Sequence, residues 1–295
     1  MGDVRKTPAV TQPIIDLYDE YTHAPLPRRV FLTRLAGLAG GTAAAAAVLP
    51  LIEVNYAKAQ MVAPTDARLE ASPITYPGAS GAVKAYLAKP KGAAGRMGGV
   101  IVIHENRGLT PHIEDVARRA ALEGFVAVAP DLLSMLGGTP PGDDAAREAF
   151  GKIDRAMAVR DSVAAIAYLK GRPDSNGKVG AVGFCWGGGT VNRIAVAAPD
   201  LAAAAVFYGD VPPAADVKKI KAKMLLHYAG LDQRINSGVP AFEAALKEAG
   251  VSYRKHDYPN VNHAFHHEGA GARYNADAAR LAWNRTAAFF KANLS

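Results

Sequence analysis

The chain of 295 residues carries 34 Lys and Arg against 27 Asp and Glu, a formal net charge of +7, and almost half of its residues are apolar. This length and apolar content suffice for a sizeable buried core, so one compact enzyme domain is the simplest prediction. The basic residues form no long run, which argues against a nucleic-acid-binding arm, and a single cysteine excludes an intrachain disulfide. Any special chemistry of Cys185 is therefore that of a solitary thiol.

The N-terminal segment differs in composition from the rest of the chain. Arg28 and Arg29 are followed by Val-Phe-Leu and then by a weakly hydrophobic stretch over 35–52 that is rich in alanine and glycine. This order resembles a twin-arginine export signal. The sequence Ala-Lys-Ala at 57–59 supplies small residues at the two positions that a leader peptidase reads.

Cleavage before Gln60 would divide the chain into an export signal at 1–59 and a working domain at 60–295. The resemblance implies a domain that folds in the cytoplasm, passes through the twin-arginine export machinery and acts in the periplasm or outside the cell. An uncleaved membrane anchor is an alternative, because roughly 18 apolar residues can cross a bilayer. Alanine and glycine contribute little transfer free energy, so no stable membrane anchor is expected. An ordinary surface helix is the remaining alternative.

After this segment, strand patterns alternate with helix patterns. Short strands at 74–76 and 83–87 predict an antiparallel hairpin, the apolar run at 99–103 predicts a strand buried on both faces, and helical spacing follows over 112–122. Further strands are expected at 125–129, 179–182, 203–208, 224–228 and 253–258, and further helices from 143, at 153–169, from 186, at 239–249 and at 276–292. The alternation predicts an α/β fold with a mostly parallel central sheet and helices on both faces. A site is therefore expected beyond the carboxyl ends of the strands.

The strongest motif lies at the end of the strand predicted over 179–182. Residues 183–187 read Gly-Phe-Cys-Trp-Gly and join that strand to a helix, so Cys185 occupies a sharp turn. Such a turn is strained and packs against neighbouring backbone, which explains glycines on both flanks. The start of a helix also favours a thiolate. A free cysteine is more often a small buried apolar side chain, but this setting favours a nucleophile.

Two candidate partners of the cysteine follow later strands. Asp232 stands on the loop after the strand at 224–228, and His263 stands on the loop after the strand at 253–258. Nucleophile, acid and histidine is the chain order of α/β-hydrolases, which predicts a Cys–His–Asp triad with His263 as the base. The alternatives are a helix cap for Asp232 and a structural role for His263. The backbone N–H of Trp186 is expected in an oxyanion hole.

The residues that carry a family resemblance are the cysteine turn, Gly230-Leu231-Asp232, Asn262-His263-Ala264-Phe265 and His104-Glu105-Asn106-Arg107-Gly108. Together they resemble the dienelactone hydrolase family over the whole working domain. The resemblance implies cofactor-independent hydrolysis of a small ester or lactone through an acyl-enzyme. It also implies that Glu105 helps to generate the thiolate when substrate binds, and that the N–H of Asn106 is a second oxyanion donor. From chemistry alone, Glu105 could equally pair with Arg107 or Arg118.

Two substrate contacts depart from that family's pattern. Pro130-Asp131-Leu132 is present, but Leu-Ser-Met follows it, and Ala-Phe-His-His follows His263. The two arginines that hold the substrate's carboxylate in the family are therefore not in register. Arg107 and His267 are the remaining candidates for binding an anion, and the substrate itself stays open.

No metal or cofactor is expected. His263, His266 and His267 have spacings that suit a helix, but they fall in a loop with no acidic or cysteine ligand near them in sequence. The glycine-rich segment 183–189 lacks the lysine of a P-loop and the spacing of a dinucleotide-binding turn. The competing functions are another acyl transfer, such as thioesterase, transferase or peptidase action, and non-catalytic binding on the same fold.

Overall fold

The computed structural model describes residues 9–55 and 59–295, and its centre is one eight-stranded sheet. The strands are β1 (Leu69–Gly78), β2 (Gly81–Pro90), β3 (Met97–Ile103), β4 (Val126–Pro130), β5 (Ser175–Phe184), β6 (Ala203–Phe207), β7 (Lys223–Ala229) and β8 (Tyr253–Tyr258). They lie side by side in the order β1-β2-β4-β3-β5-β6-β7-β8. β2 is antiparallel to both of its neighbours, and all the other pairs are parallel. The predicted hairpin and mostly parallel sheet are confirmed.

Helices connect the strands much as the sequence predicts, and three further helices precede the first strand. They are α1 (Gln12–His23), α2 (Arg28–Ala39), α3 (Thr42–Ile52), α4 (Pro111–Leu122), α5 (Asp143–Phe150), α6 (Arg155–Lys170), α7 (Trp186–Ala197), α8 (Gln233–Asn236), α9 (Val239–Glu248) and α10 (Ala276–Leu294). Apolar periodicity placed the start of α6 two residues too early. The carboxylate of Asp154 accepts hydrogen bonds from the N–H groups of Ala156 and Met157 and so caps the helix at that point.

Two apolar layers cover the sheet, one on each face. Along β3, Ile101 and Ile103 belong to the layer that contains α6, α7 and α9, whereas Val100 and Val102 belong to the layer that contains α4 and α10. Alternate residues of a strand point to opposite faces, and here both faces are covered, so the run is apolar throughout. The sheet with helices on both faces is the α/β architecture expected from the sequence.

Between β3 and β5, the connections change the side of the sheet toward which they run. From β3 the chain passes through α4 to β4 on one side, and from β5 it passes through α7 to β6 on the other. In open α/β sheets a crevice forms at such a point, beyond the carboxyl ends of the strands. The loop after β3 and the turn after β5 therefore lie next to each other, and these carry Glu105 and Cys185.

The three N-terminal helices have a small apolar cluster of their own. Phe31 and Leu35 of α2 pack with Val48 and Ile52 of α3, and all four are fully buried. From α1, the apolar side chains at 14, 17, 18 and 21 join the same cluster. These positions recur at the spacing of one helix face. Residues 12–52 thus form a helical unit beside the sheet.

The apolar stretch at 35–52 is broken in the middle. Gly40 and Gly41 have φ angles of 86° and 132°, which end α2 and turn the chain before α3. Within the described residues, no single helix has the length and apolar character to cross a membrane; α2 and α3 meet that test only as a pair bent by 107°. Of the predicted cleavage residues, Ala57 and Lys58 lie outside the described residues, and Ala59 is buried.

Candidate active site

Cys185 sits in a strained turn between β5 and α7. Its backbone angles are φ 56° and ψ −121°, a left-handed conformation that costs free energy for a residue with a side chain. A Cβ on Gly183 would collide with the carbonyl oxygen of Gly187, so the turn is closed too tightly for other residues there. The strand–turn–helix geometry predicted for the cysteine is present. It directs the thiol out over the end of the sheet.

Asp232 and His263 come together beyond the ends of β7 and β8. The Nδ1 atom of His263 donates to Oδ2 of Asp232 over 2.5 Å, and both side chains are buried. The other carboxylate oxygen of Asp232 accepts from the N–H of Ile235 at the start of α8. The helix-cap alternative and the partnership with His263 are therefore both realised, one by each oxygen. A carboxylate held by a cap orients the imidazole rigidly.

The sulfur of Cys185 is hydrogen-bonded to an unexpected partner. Nε2 of His23, at the end of α1, lies 3.0 Å from Sγ. A ring nitrogen of His263 lies within 4.8 Å of the same sulfur. Among the described residues, however, Nε2 of His263 is buried with no hydrogen-bond partner. The short contact of the thiol is thus with His23, while His263 lies near enough to the sulfur to help lower the pKa of the thiol.

Electrostatics around Cys185 favour a thiolate–imidazolium arrangement. Burial alone would raise the pKa of the thiol, but the charges of His23 and His263 lower it well below its usual value. Burial would likewise lower the pKa of His263, and the carboxylate of Asp232 together with the thiolate raises it well above its usual value. The charges around the nucleophile therefore favour its thiolate form.

Glu105 follows β3 directly and lines the same cavity as Cys185. Burial raises the pKa of its carboxyl group, opposed by the charge of His112. One carboxylate oxygen lies 3.7 Å from Nε2 of His267. The guanidinium of Arg118 donates to the carbonyl of Val62 instead, so the structure places it in another network.

The remaining predicted residues surround this cavity, whose volume is about 40 Å³. Asn106 and Arg107 line it beside Glu105, and His267 lines it from the loop after β8. Trp186 is the first residue of α7, immediately after the nucleophile. Arg107 donates to the carboxylate of Asp143 and to the carbonyl of Asn106. Burial and the nearby charge of His112 hold the pKa of His267 well below its usual value, so its ring is neutral.

A family model described as the dienelactone hydrolase family matches residues 83–294. The chain belongs to this family. A protein of Synechocystis named as a carboxymethylenebutenolidase is 32% identical over 239 residues, which cover 75% of this chain and 96% of that protein. A hydrolase fragment of Escherichia coli is 48% identical over 112 residues, which cover 37% of this chain and 96% of the fragment.

A solved structure from Klebsiella pneumoniae, described as a dienelactone hydrolase, is also similar. It has a TM-score of 0.69 and 28% identity, and the match covers 76% of this chain and 98% of that chain. These relationships confirm the α/β-hydrolase fold. They also make this dienelactone hydrolase family member a hydrolase that acts on ester bonds.

Within residues 9–55 and 59–295, two sets of three side chains have ligand types and spacing that could hold a metal ion. They are His23, Cys185 and His263, and Glu105, His112 and His267, each with its ligand atoms within 4.8 Å of one another. The first set has the thiolate and imidazoles that zinc prefers. The attraction between the thiolate of Cys185 and the two imidazoles also explains why these three side chains lie together. The histidines weighed from sequence do not come together, because the ring of His266 stacks against Phe184 at 4.9 Å.

Sequence reasoning missed three residues at the site of this family member. His23 and Asp19 arrive from α1, where Nδ1 of His23 lies 3.1 Å from the carboxylate of Asp19. Arg273 lines the cavity with its guanidinium 4.8 Å from the ring centroid of Tyr18. The apolar spacing in α1 was a readable helix signal. Nothing local in the sequence, however, indicates that this helix docks on a residue 162 positions away.

Proposed function

We propose that this protein hydrolyses a small ester or lactone with Cys185 as the nucleophile. The thiolate attacks the carbonyl carbon, and the C–O bond to the leaving alcohol breaks as His263 donates a proton to it. Water, deprotonated by His263, then attacks the thioester and releases the acid, which regenerates the thiolate. Asp232 keeps the imidazole oriented and stabilises its protonated form.

The observation that carries this proposal is the 2.5 Å bond between His263 and Asp232 beside a strained turn that presents Cys185. Backbone strain of this kind persists where the surrounding structure enforces it, and it is concentrated at active sites. The pair follows the chain order of α/β-hydrolases. Membership in an ester-hydrolase family supports the same chemistry.

Two further elements complete the proposed mechanism. The backbone N–H groups of Asn106 and Trp186 are assigned to the developing oxyanion, because Asn106 lines the cavity beside Cys185 and Trp186 directly follows the nucleophile at the start of α7. Glu105 is assigned to control of the thiolate. Its partly buried carboxyl group, with a raised pKa, adds little repulsion to the anion at Cys185 while it stays protonated.

A panel of p-nitrophenyl esters and lactones, with and without a carboxylate, tests the proposal. Cys185→Ala should lower kcat/KM by about 10⁴-fold or more, because the variant has no nucleophile. Turnover that is equal with and without the Cys185→Ala change, both in the full-length chain and in protein recovered from the periplasm, would show that Cys185 is not the nucleophile. Thioesters and peptides assayed alongside distinguish ester hydrolysis from the competing acyl transfers.

We also propose that residues 1–59 direct twin-arginine export and that the working domain acts in the periplasm or outside the cell. The exposed pair Arg28 and Arg29 at the start of α2, followed by an apolar segment, supports this assignment. Sequencing the N-terminus of protein recovered from the periplasm is the direct test. A start at Gln60 is expected, and a start at Met1 would contradict cleavage.

A further inference from the structure

We propose that α1 is an internal inhibitor that blocks the nucleophile for as long as it stays docked in the full-length chain. The inference rests on the proposed function, because it concerns access to the same cysteine. Its partner is a defined segment of this chain, residues 12–23, which lies outside the family-matching region 83–294. The argument depends on the contact at the sulfur, the space left beside it and the anchoring of the helix.

The sulfur of the nucleophile is shared between its predicted base and a histidine of α1. His23 approaches Sγ of Cys185 at 3.0 Å and is held there from behind by Asp19. The Nε2 atom of His263 has no hydrogen-bond partner among the described residues. A buried nitrogen of this kind normally has a partner. The histidine from α1 therefore competes with His263 for the thiol that the predicted triad assigns to His263.

The space beside the sulfur is narrow, and α1 forms part of its boundary. The cavity has a volume of about 40 Å³, and Tyr18, Thr22 and His23 of α1 form one of its walls. One water molecule needs about 10–15 Å³ on this measure, so the cavity has room for a few waters. An ester is larger, and we expect it to reach Cys185 only when α1 moves aside.

Residues on several elements around the site also hold the helix. Besides the contact of His23 with the sulfur, four hydrogen bonds among the described residues anchor it: Asn106 Nδ2 to the carbonyl of Thr22 at 2.8 Å, Arg147 Nη2 to the carbonyl of Tyr21 at 2.9 Å, Arg234 Nε to Asp19 Oδ2 at 2.9 Å, and Gln12 Nε2 to Asn262 Oδ1 at 2.6 Å. Asn106 and Asn262 are direct neighbours in sequence of Glu105 and His263. The anchors thus converge on the machinery itself, which fits an inhibitory segment better than a remote structural one.

The same contacts make the helix releasable. The apolar residues of α1 pack with α2 and α3, whereas the layers that cover the sheet are separate clusters. Each polar contact contributes little net free energy, because water replaces it when the helix leaves. Removal of residues 1–59 would take away α1 together with its packing partners and expose Cys185. Export and activation would then be coupled.

The test uses full-length protein and two substitutions that weaken docking. Asp19→Lys places a cation against Arg234 and the imidazoles, and His23→Ala removes the bond to Sγ. Glu20→Lys is the matched control, because it makes the same charge change one residue later, where the carboxylate pairs with Arg34 on the exposed side. Two rates are measured for each protein: ester hydrolysis, and labelling of the single cysteine by a bulky maleimide.

Both Asp19→Lys and His23→Ala should raise the labelling rate and kcat/KM by about 10-fold or more, and the control should stay within about 2-fold of wild type. Unchanged labelling and turnover in both variants would overturn the proposal. So would a loss of turnover with unchanged labelling, since His23 would then act as a catalytic base. Faster labelling without turnover of any ester in any variant would support the inhibitor while refuting the proposed hydrolysis.

Discussion

The α/β body and the N-terminal helices are built differently, although they meet at one cysteine. The body buries two continuous apolar layers against its sheet, and neither layer includes a residue of the three N-terminal helices. The helices share one small apolar cluster and are joined to the site by polar contacts, such as Asp19 with Arg234 and Asn106 with Thr22. The α/β body therefore contains the main apolar core and the catalytic residues, whereas the N-terminal helices contribute a contact with the site that can be released.

The largest effect is expected from a change in the body. Asp232→Asn keeps an oxygen that can cap α8 but removes the charge that stabilises imidazolium at His263. Turnover should fall by about 10³- to 10⁴-fold with little change in stability. Steady-state kinetics and thermal unfolding of the same preparation check this. A loss of less than about 10-fold would indicate that the bond between these residues is structural only.

Substitutions in the apolar cores of the body and of the N-terminal helices should show whether the two regions unfold independently. Ile101→Ala in β3 removes buried volume from the body and should lower its free energy of unfolding by about 2–5 kcal/mol. Leu35→Ala in α2 should leave unfolding of the body unchanged and instead speed labelling of Cys185. Both side chains are fully buried, so the pair is well matched. A single cooperative transition shifted equally by both would contradict independent regions.

Alkaline pH should weaken docking of α1. Burial lowers the pKa of His23, but the thiolate of Cys185 and the carboxylate of Asp19 outweigh it, so the pKa is raised in the docked state. His263 and Arg234 are the other charged groups nearby. The attraction is complete below the pKa of a free histidine, about 6.5, and is lost as pH rises through the raised value.

The ratio of kcat/KM for His23→Ala to that for wild type measures this effect, because titration of the body is common to both proteins. The ratio should be highest near neutral pH and should fall toward one at alkaline pH. A ratio that is constant from about pH 6 to pH 10 would exclude a contribution from the charge of His23.

Ionic strength should have the smallest effect. The pair between Asp19 and Arg234 is partly exposed, with 40% of the arginine side chain accessible. Salt screens such pairs, so raising it from about 0.05 M to about 0.5 M should increase turnover of the full-length chain by about 2-fold. Asp19→Lys should show no increase. An equal increase in both proteins would place the effect in the body.

The sequence predicted the body well, because its signals are local. Most of the eight strands have an apolar run, and the turn at Cys185 and the loop of Asp232 each follow one. His263 follows β8, which is a polar strand at the edge of the sheet. What it could not predict depends on distant contacts. The bond between His23 and Cys185 joins residues 162 positions apart, and no periodicity encodes it. The interpretation of residues 1–59 as an export signal also predicted no folded helix at the position of α1.

Thiolates with a low pKa are the cysteines that peroxides oxidise most readily. Cys185 has such a pKa, but only 7% of the residue is exposed beneath α1, beside a cavity of about 40 Å³. If Cys185 were oxidised to a sulfenic acid, no second cysteine of this chain could react with it to form a disulfide, because the chain has one cysteine. A docked α1 therefore shelters the sulfur from oxidative damage during the same period in which it withholds the sulfur from substrate.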